Sequence, residues 1–178
     1  LHPMKKVKLP LTVDPIKSAQ RRLNYEGYYS QAQLVRLKDA VNQVLNDVEA
    51  ELTFAIDPQK LVVMQGKATV DVMLECQRCG TPFLYHLSCT FNYSPVSNMD
   101  QADVLPEIYE PIELNDFGEI DLLGVIEDEL LLSLPLVPMH EPEHCEVSED
   151  EQVFGELPEE LAKKPNPFAV LASLKKQK

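Results

Sequence analysis

Between Arg78 and Lys163 the chain has no lysine or arginine, while aspartate and glutamate recur from Asp100 to Glu160. Residues 1–78 carry 11 basic and 9 acidic side chains, residues 79–162 carry 0 and 20, and residues 163–178 carry 5 and 0. A middle section of that charge repels RNA and anionic membranes alike, which leaves any nucleic-acid contact to the two ends or to a basic intermediary. Solubility alone also selects for net charge away from zero, so the acidity by itself admits both a partner and no partner. Other absences narrow the classes further. No run approaches the roughly 18 apolar residues of a membrane span, and the start lacks the apolar block of a signal peptide, so a cytoplasmic protein with no membrane contact is expected. There is no Gly-rich phosphate loop, no nucleophile motif and no organised acid–base pair, which argues against an enzyme and against a small-molecule substrate.

What is present suits one α+β domain with an appendage. Leu1-His2-Pro3 ahead of Met4 reads as a tag remnant, residues 4–140 as a single domain, and 141–178 as an acidic linker with a C-terminal docking or recognition helix. Val7, Leu9, Leu11 and Val13 alternate around Pro10, as in an edge strand. Asp14-Pro15 caps a short helix over 15–23, and Ser30 with Gln33 forms a capping box for a second helix starting near Gln31 and ending between Lys38 and Asn46. Three period-two segments follow, spanning 48–56, 68–74 and 83–93, with a turn at 57–60 and a bulge expected at Gly66. They predict an antiparallel sheet of four to five strands; whether it curls into a barrel is not readable from the pattern. Leu122, Ile126, Leu130 and Leu134 predict a longer amphipathic helix over 121–134, its apolar face closing over the sheet despite the interrupting Glu127, Asp128 and Glu129. Residues 141–151 are too acidic and too poor in apolar side chains to order themselves, and a mobile acidic tail is expected there. Phe168, Leu171 and Leu174 line one side of a terminal helix too short to stand alone, which either docks on its own domain or folds on a partner.

Two candidate sites stand out. Cys76-Gln77-Arg78-Cys79-Gly80 places two thiols, separated by two residues, in a hairpin turn. Such a pair grips half of a tetrahedral zinc site, serves as a redox couple, or is simply two free thiols. For zinc, the other half comes from His140, His144 or Cys145 after the long helix, or from His86 or Cys89; His140 with Cys145 makes the preferred set, and Cys89 alternates with core residues. Near the N-terminus, Lys5, Lys6, Lys8, Lys17, Arg21 and Arg22 precede Tyr25, Tyr28 and Tyr29. Positive charge beside aromatic rings is what single-strand RNA binding uses, and it is equally what a solvated strand with rim tyrosines looks like.

The chain resembles the YceD family, the large ribosomal RNA subunit accumulation proteins of bacteria. The resemblance lies in Lys6-Val7-Lys8-Leu9-Pro10-Leu11, Leu74-Glu75-Cys76-Gln77-Arg78-Cys79-Gly80, Tyr109-Glu110-Pro111-Ile112-Glu113, Phe117-Gly118-Glu119-Ile120-Asp121-Leu122, His144-Cys145-Glu146-Val147 and Pro165-Asn166-Pro167-Phe168-Ala169-Val170-Leu171. It implies a role in the synthesis, processing or stability of 23S ribosomal RNA. In that setting the charge pattern suggests RNA contact through the basic ends, with Lys5, Lys6, Lys8, Arg21 and Arg22, and contact with basic ribosomal proteins through the acidic stretch from Asp100 to Glu160. It also implies an altered metal site, because related proteins look cysteine-richer where this chain has His140 and His144-Cys145. A ribosomal-RNA processing or modifying enzyme is the alternative, as is a module that recruits one through the C-terminal helix.

Overall fold

The computed structural model describes residues 7–147 and Phe168. They fall into two units that divide between His140 and Glu141. The first is a mixed α+β unit built on an open sheet. Its elements are β1 (Thr12–Val13), α1 (Pro15–Gln20), β2 (Asn24–Tyr29), α2 (Val35–Ala40), β3 (Gln43–Val44), β4 (Val48–Ile56), β5 (Val62–Glu75), β6 (Pro82–Val96), β7 (Glu110–Glu113), β8 (Ile120–Asp121) and α3 (Leu122–Leu132). No helix among the described residues is long and apolar enough to cross a membrane.

The alternating segments become the centre of the sheet, in the order β2-β4-β5-β6-β7, with β3 pairing on β5 beside β4. Two features depart from the expected antiparallel meander of four to five strands. The sheet has six strands, and β7 runs parallel to β6, pairing Tyr93–Val96 with Glu110–Glu113. A parallel neighbour needs a crossover, and residues 97–109, with a 3-10 turn at Met99–Val104, supply one. A separate antiparallel pair joins β1 to β8. The bulge expected at Gly66 is absent: Gly66 faces Leu52 on one side and Phe91 on the other in unbroken register. Glycine is needed there because a Cβ would sit 2.4 Å from the Phe91 ring.

The N-terminal elements are shorter than their patterns. Asp14 caps α1 by accepting from Lys17 N at 3.0 Å, with Pro15 in the first turn. The helix stops at Gln20 because Arg22 turns left-handed, at φ 50°, and Leu23 N folds back onto Ser18 O. The Ser30/Gln33 capping box forms, but on a 3-10 turn of three residues; Leu34 breaks the run before α2 begins. Leu34, Leu37, Val41 and Val44 are all buried nonetheless, the last two because the chain leaves the helix and continues as β3. The Tyr-rich stretch from Asn24 is strand β2, whose Tyr29 is fully buried and donates its hydroxyl to Pro10 O.

One sheet face is apolar: Leu52, Phe54, Met64, Val72 and Leu87 are at most 1% exposed. Leu122, Ile126 and Leu130 of α3 pack over it, each fully buried. Each such side chain contributes roughly 1.5–3 kcal/mol by leaving water. Glu127, on the flank of that stripe, is buried too. Its carboxylate accepts from Leu37 N at 3.0 Å and from Arg36 Nε at 3.1 Å. It thereby caps the N-terminus of α2, whose own N-cap residue, Leu34, provides no side-chain hydrogen bond. Arg36 also reaches Asp128 and donates to Gly124 O, so one guanidinium clamps α3 against α2.

Candidate metal centre

The β5–β6 hairpin closes at Glu75↔Pro82, and the six residues between form a turn held by Cys76 N donating to Thr81 O and Gly80 N donating to Cys76 O. Gly80 takes φ +74°, the left-handed conformation that glycine adopts without strain. This geometry folds Cys79 back toward Cys76. The segment after α3 is fastened alongside: Gln77 N donates to Pro138 O at 2.9 Å, Arg78 reaches Met139 Sδ at 3.7 Å, and the His140 ring packs on Phe83 with centroids 5.5 Å apart.

These contacts bring the two thiols of the turn together with a donor 61 positions beyond Cys79. The ligand atoms of Cys76, Cys79 and His140 all lie within 4.8 Å of one another, with Cys79 Sγ 3.8 Å from His140 Nε2. Zinc–sulfur and zinc–nitrogen bonds of about 2.3 and 2.0–2.1 Å on a tetrahedral ion put neighbouring donors about 3.6 Å apart, close to that separation. Burial opposes ionisation of Cys76, but the backbone N–H groups of Cys79, His140 and Arg78, with the Cys79 thiol, outweigh it and bring its pKa down from 9.0 to about 6. A thiolate in a nest of N–H groups is the form that binds a metal. Nε2 of His140 faces Cys79, and its other ring nitrogen, Nδ1, is buried with no hydrogen-bond partner among the described residues. The donor chemistry fits zinc.

A family model described as "Large ribosomal RNA subunit accumulation protein YceD" matches residues 64–175, which take in the whole of this turn and α3. The chain belongs to the YceD family. A Haemophilus influenzae protein, "Large ribosomal RNA subunit accumulation protein YceD", is 70% identical over 174 residues, covering 98% of this chain and 100% of the relative. No solved structure matches.

Of the other expected ligands of this YceD-family chain, Cys89 and His86 lie elsewhere. Cys89 is buried in the core, and that burial pushes its thiol up to about 11. His86 sits on the exposed sheet face and pairs with Asp71, whose carboxyl is held below its ordinary range chiefly by that hydrogen bond. In the second unit, His144 ends a 3-10 turn, Pro142–His144, that Cys145 follows, with Cys145 N donating to Pro142 O.

Of the basic residues, Lys5 and Lys6 lie outside the described residues. Lys8, Lys17 and Arg21 share a hollow of about 520 Å³ with Tyr25 and the carboxylates of Asp14, Glu26 and Glu119, so its positive charge is matched by three acidic side chains, one of which pairs with Lys17 at 3.2 Å. Arg22 is exposed but does not line that hollow. Tyr25 packs edge-on against Phe54 at 5.7 Å, and Tyr29 has no exposed face. In the tail, Phe168 is exposed, while residues 148–167, Leu171 and Leu174 lie outside the described residues. The sequence reading missed the Arg36–Glu127 clamp, although a carboxylate four residues after Leu123 and three before Leu130 was its signal.

Proposed function

We propose that this chain supports the accumulation of large-subunit, 23S ribosomal RNA in the cytoplasm, and that it does so by binding and not by catalysis. The observation that carries this reading is the 70% identity, end to end, with a large ribosomal RNA subunit accumulation protein. Its formal net charge of −13 favours basic ribosomal proteins over bare RNA as the direct contact. In cells lacking the gene, 23S RNA should fall relative to 16S and return when the chain is supplied. Purified protein should leave precursor RNA uncut and unmodified; turnover that disappears in Cys76→Ser would instead make it an enzyme.

Within that reading Cys76, Cys79 and His140 hold a structural zinc ion. Cys145, five residues beyond His140, is within chain reach as the fourth ligand and would leave no open position for substrate. The ion would tie the hairpin turn to the segment after α3. Protein prepared without chelator should contain about one zinc per chain. A cobalt-loaded sample should show thiolate-to-metal absorption that weakens in Cys79→Ser. Absence of stoichiometric zinc, with no such absorption, would leave the cysteines as free thiols.

A further inference from the structure

Strand β6 has one side open. Its partner β5 covers Pro82 to Tyr93, but on the other side β7 pairs only with Tyr93–Val96. Two hydrogen bonds fix which backbone groups face outward: Thr81 O accepts from Cys76 N across the hairpin, and Val96 O accepts from Leu114 N beyond β7. With the register unbroken, odd-numbered residues of β6 turn their N–H and C=O groups to β5 and even-numbered ones turn them away. Leu84, His86, Ser88 and Thr90, with the N–H of Asn92, therefore present a row of backbone donors and acceptors, over about 30 Å, that no other strand among the described residues pairs.

Edges of this kind are normally guarded by lysines, other charges or mid-strand prolines, because they template strand addition. Here the guards are missing. From Gly80 to Met99 there is no Asp, Glu, Lys or Arg, and the prolines, Pro82 and Pro95, stand outside the open stretch. Where the open edge meets β7, a hollow of about 430 Å³ is lined by Thr90, Asn92, Glu107, Ile108 and Glu110. Ile108 is 68% exposed, and neither Glu107 nor Glu110 forms an ion pair among the described residues.

We propose that the open edge of β6 is a docking site for an extended, lysine- or arginine-rich polypeptide segment, which adds to the sheet beside Leu84–Asn92 and places a basic side chain against Glu107 and Glu110. Backbone bonding supplies the recognition, as in other strand-addition complexes, and charge selects the partner. A second copy of this chain is disfavoured, since two bodies of net charge −13 repel; RNA is disfavoured by the same charge. The inference rests on the reading that the chain works by binding, but not on zinc. The peptide measurement below can fail while 23S RNA still depends on the gene.

The test uses the full chain and a ten-residue peptide alternating lysine and valine, followed by fluorescence anisotropy and residue-resolved amide exchange. The peptide should bind and selectively slow exchange at Leu84, His86, Ser88, Thr90 and Asn92. A glutamate–valine peptide and a lysine–glycine peptide of equal length should bind about tenfold more weakly or worse. Ser88→Pro removes only an outward N–H, so it should leave the unfolding midpoint nearly unchanged while weakening the peptide by a similar factor; Glu107→Gln with Glu110→Gln should flatten the salt dependence. The proposal is overturned if these five amides stay fast at saturating peptide. It is equally overturned if Ser88→Pro binds as well as wild type, if protection appears on raising protein concentration alone, or if a ten-nucleotide RNA protects them instead.

Discussion

Glu127→Ala is expected to cost the first unit about 3 kcal/mol, a fall of roughly 6–12 °C in midpoint for a chain of this size. The cost has two sources. The N–H of Leu37, a residue with no exposed surface, loses its acceptor, and an orphaned buried donor costs roughly 1–3 kcal/mol. The cap of α2 goes with it, since Leu34 cannot replace it. Glu127→Gln keeps an oxygen in place and should lose less than half as much. Arg36→Ala should fall between them, because Arg36 is half exposed while the Glu127 carboxylate it leaves behind is buried. Thermal unfolding of the three variants, completed by the double variant Arg36→Ala/Glu127→Ala, measures the coupling directly. If Glu127→Ala melts with wild type, the clamp contributes nothing and α3 is held by its apolar face alone.

Gly66→Val is expected to destabilise by a similar amount, about 3 kcal/mol, through overpacking. The added Cβ would lie 2.4 Å from Phe91 Cζ and 3.0 Å from Leu52 Cδ2, and both neighbours are core residues on the flanking strands. The ring cannot swing away freely, being packed against Tyr93 with centroids 5.8 Å apart. Combining Gly66→Val with Phe91→Leu should recover part of the loss, a non-additivity visible in denaturant midpoints. Strictly additive losses would mean that the glycine serves some need other than room for the ring.

The contrast between these two sites marks what the amino-acid pattern can and cannot disclose. Strands β4, β5 and β6 were readable because each alternates on a half-buried sheet, and α3 because leucine and isoleucine recur every four residues. Glu110-Pro111-Ile112-Glu113 was not: four residues with a proline carry no strand period, and nothing local announces that their partner runs parallel. The helix expected from Gln31 kept its apolar spacing but changed conformation at Leu34 and again at Val41, since burial constrains which side chains point inward more than it constrains the backbone that carries them. At the candidate metal centre the two cysteines announced themselves by spacing. What brings His140 to them did not, because the tie is a backbone hydrogen bond, Gln77 N to Pro138 O, which no side chain encodes.

That tie has a consequence for the order of synthesis. Cys79 and His140 are separated by 61 positions, so on a translating ribosome the thiols of the hairpin turn are made well before the imidazole. β7, β8 and α3 must all emerge and pack before the third donor arrives, at roughly 5–20 residues per second. Until then the turn holds two thiols only. Tight ion capture would therefore act as a late signal that the sheet and its covering helix are complete.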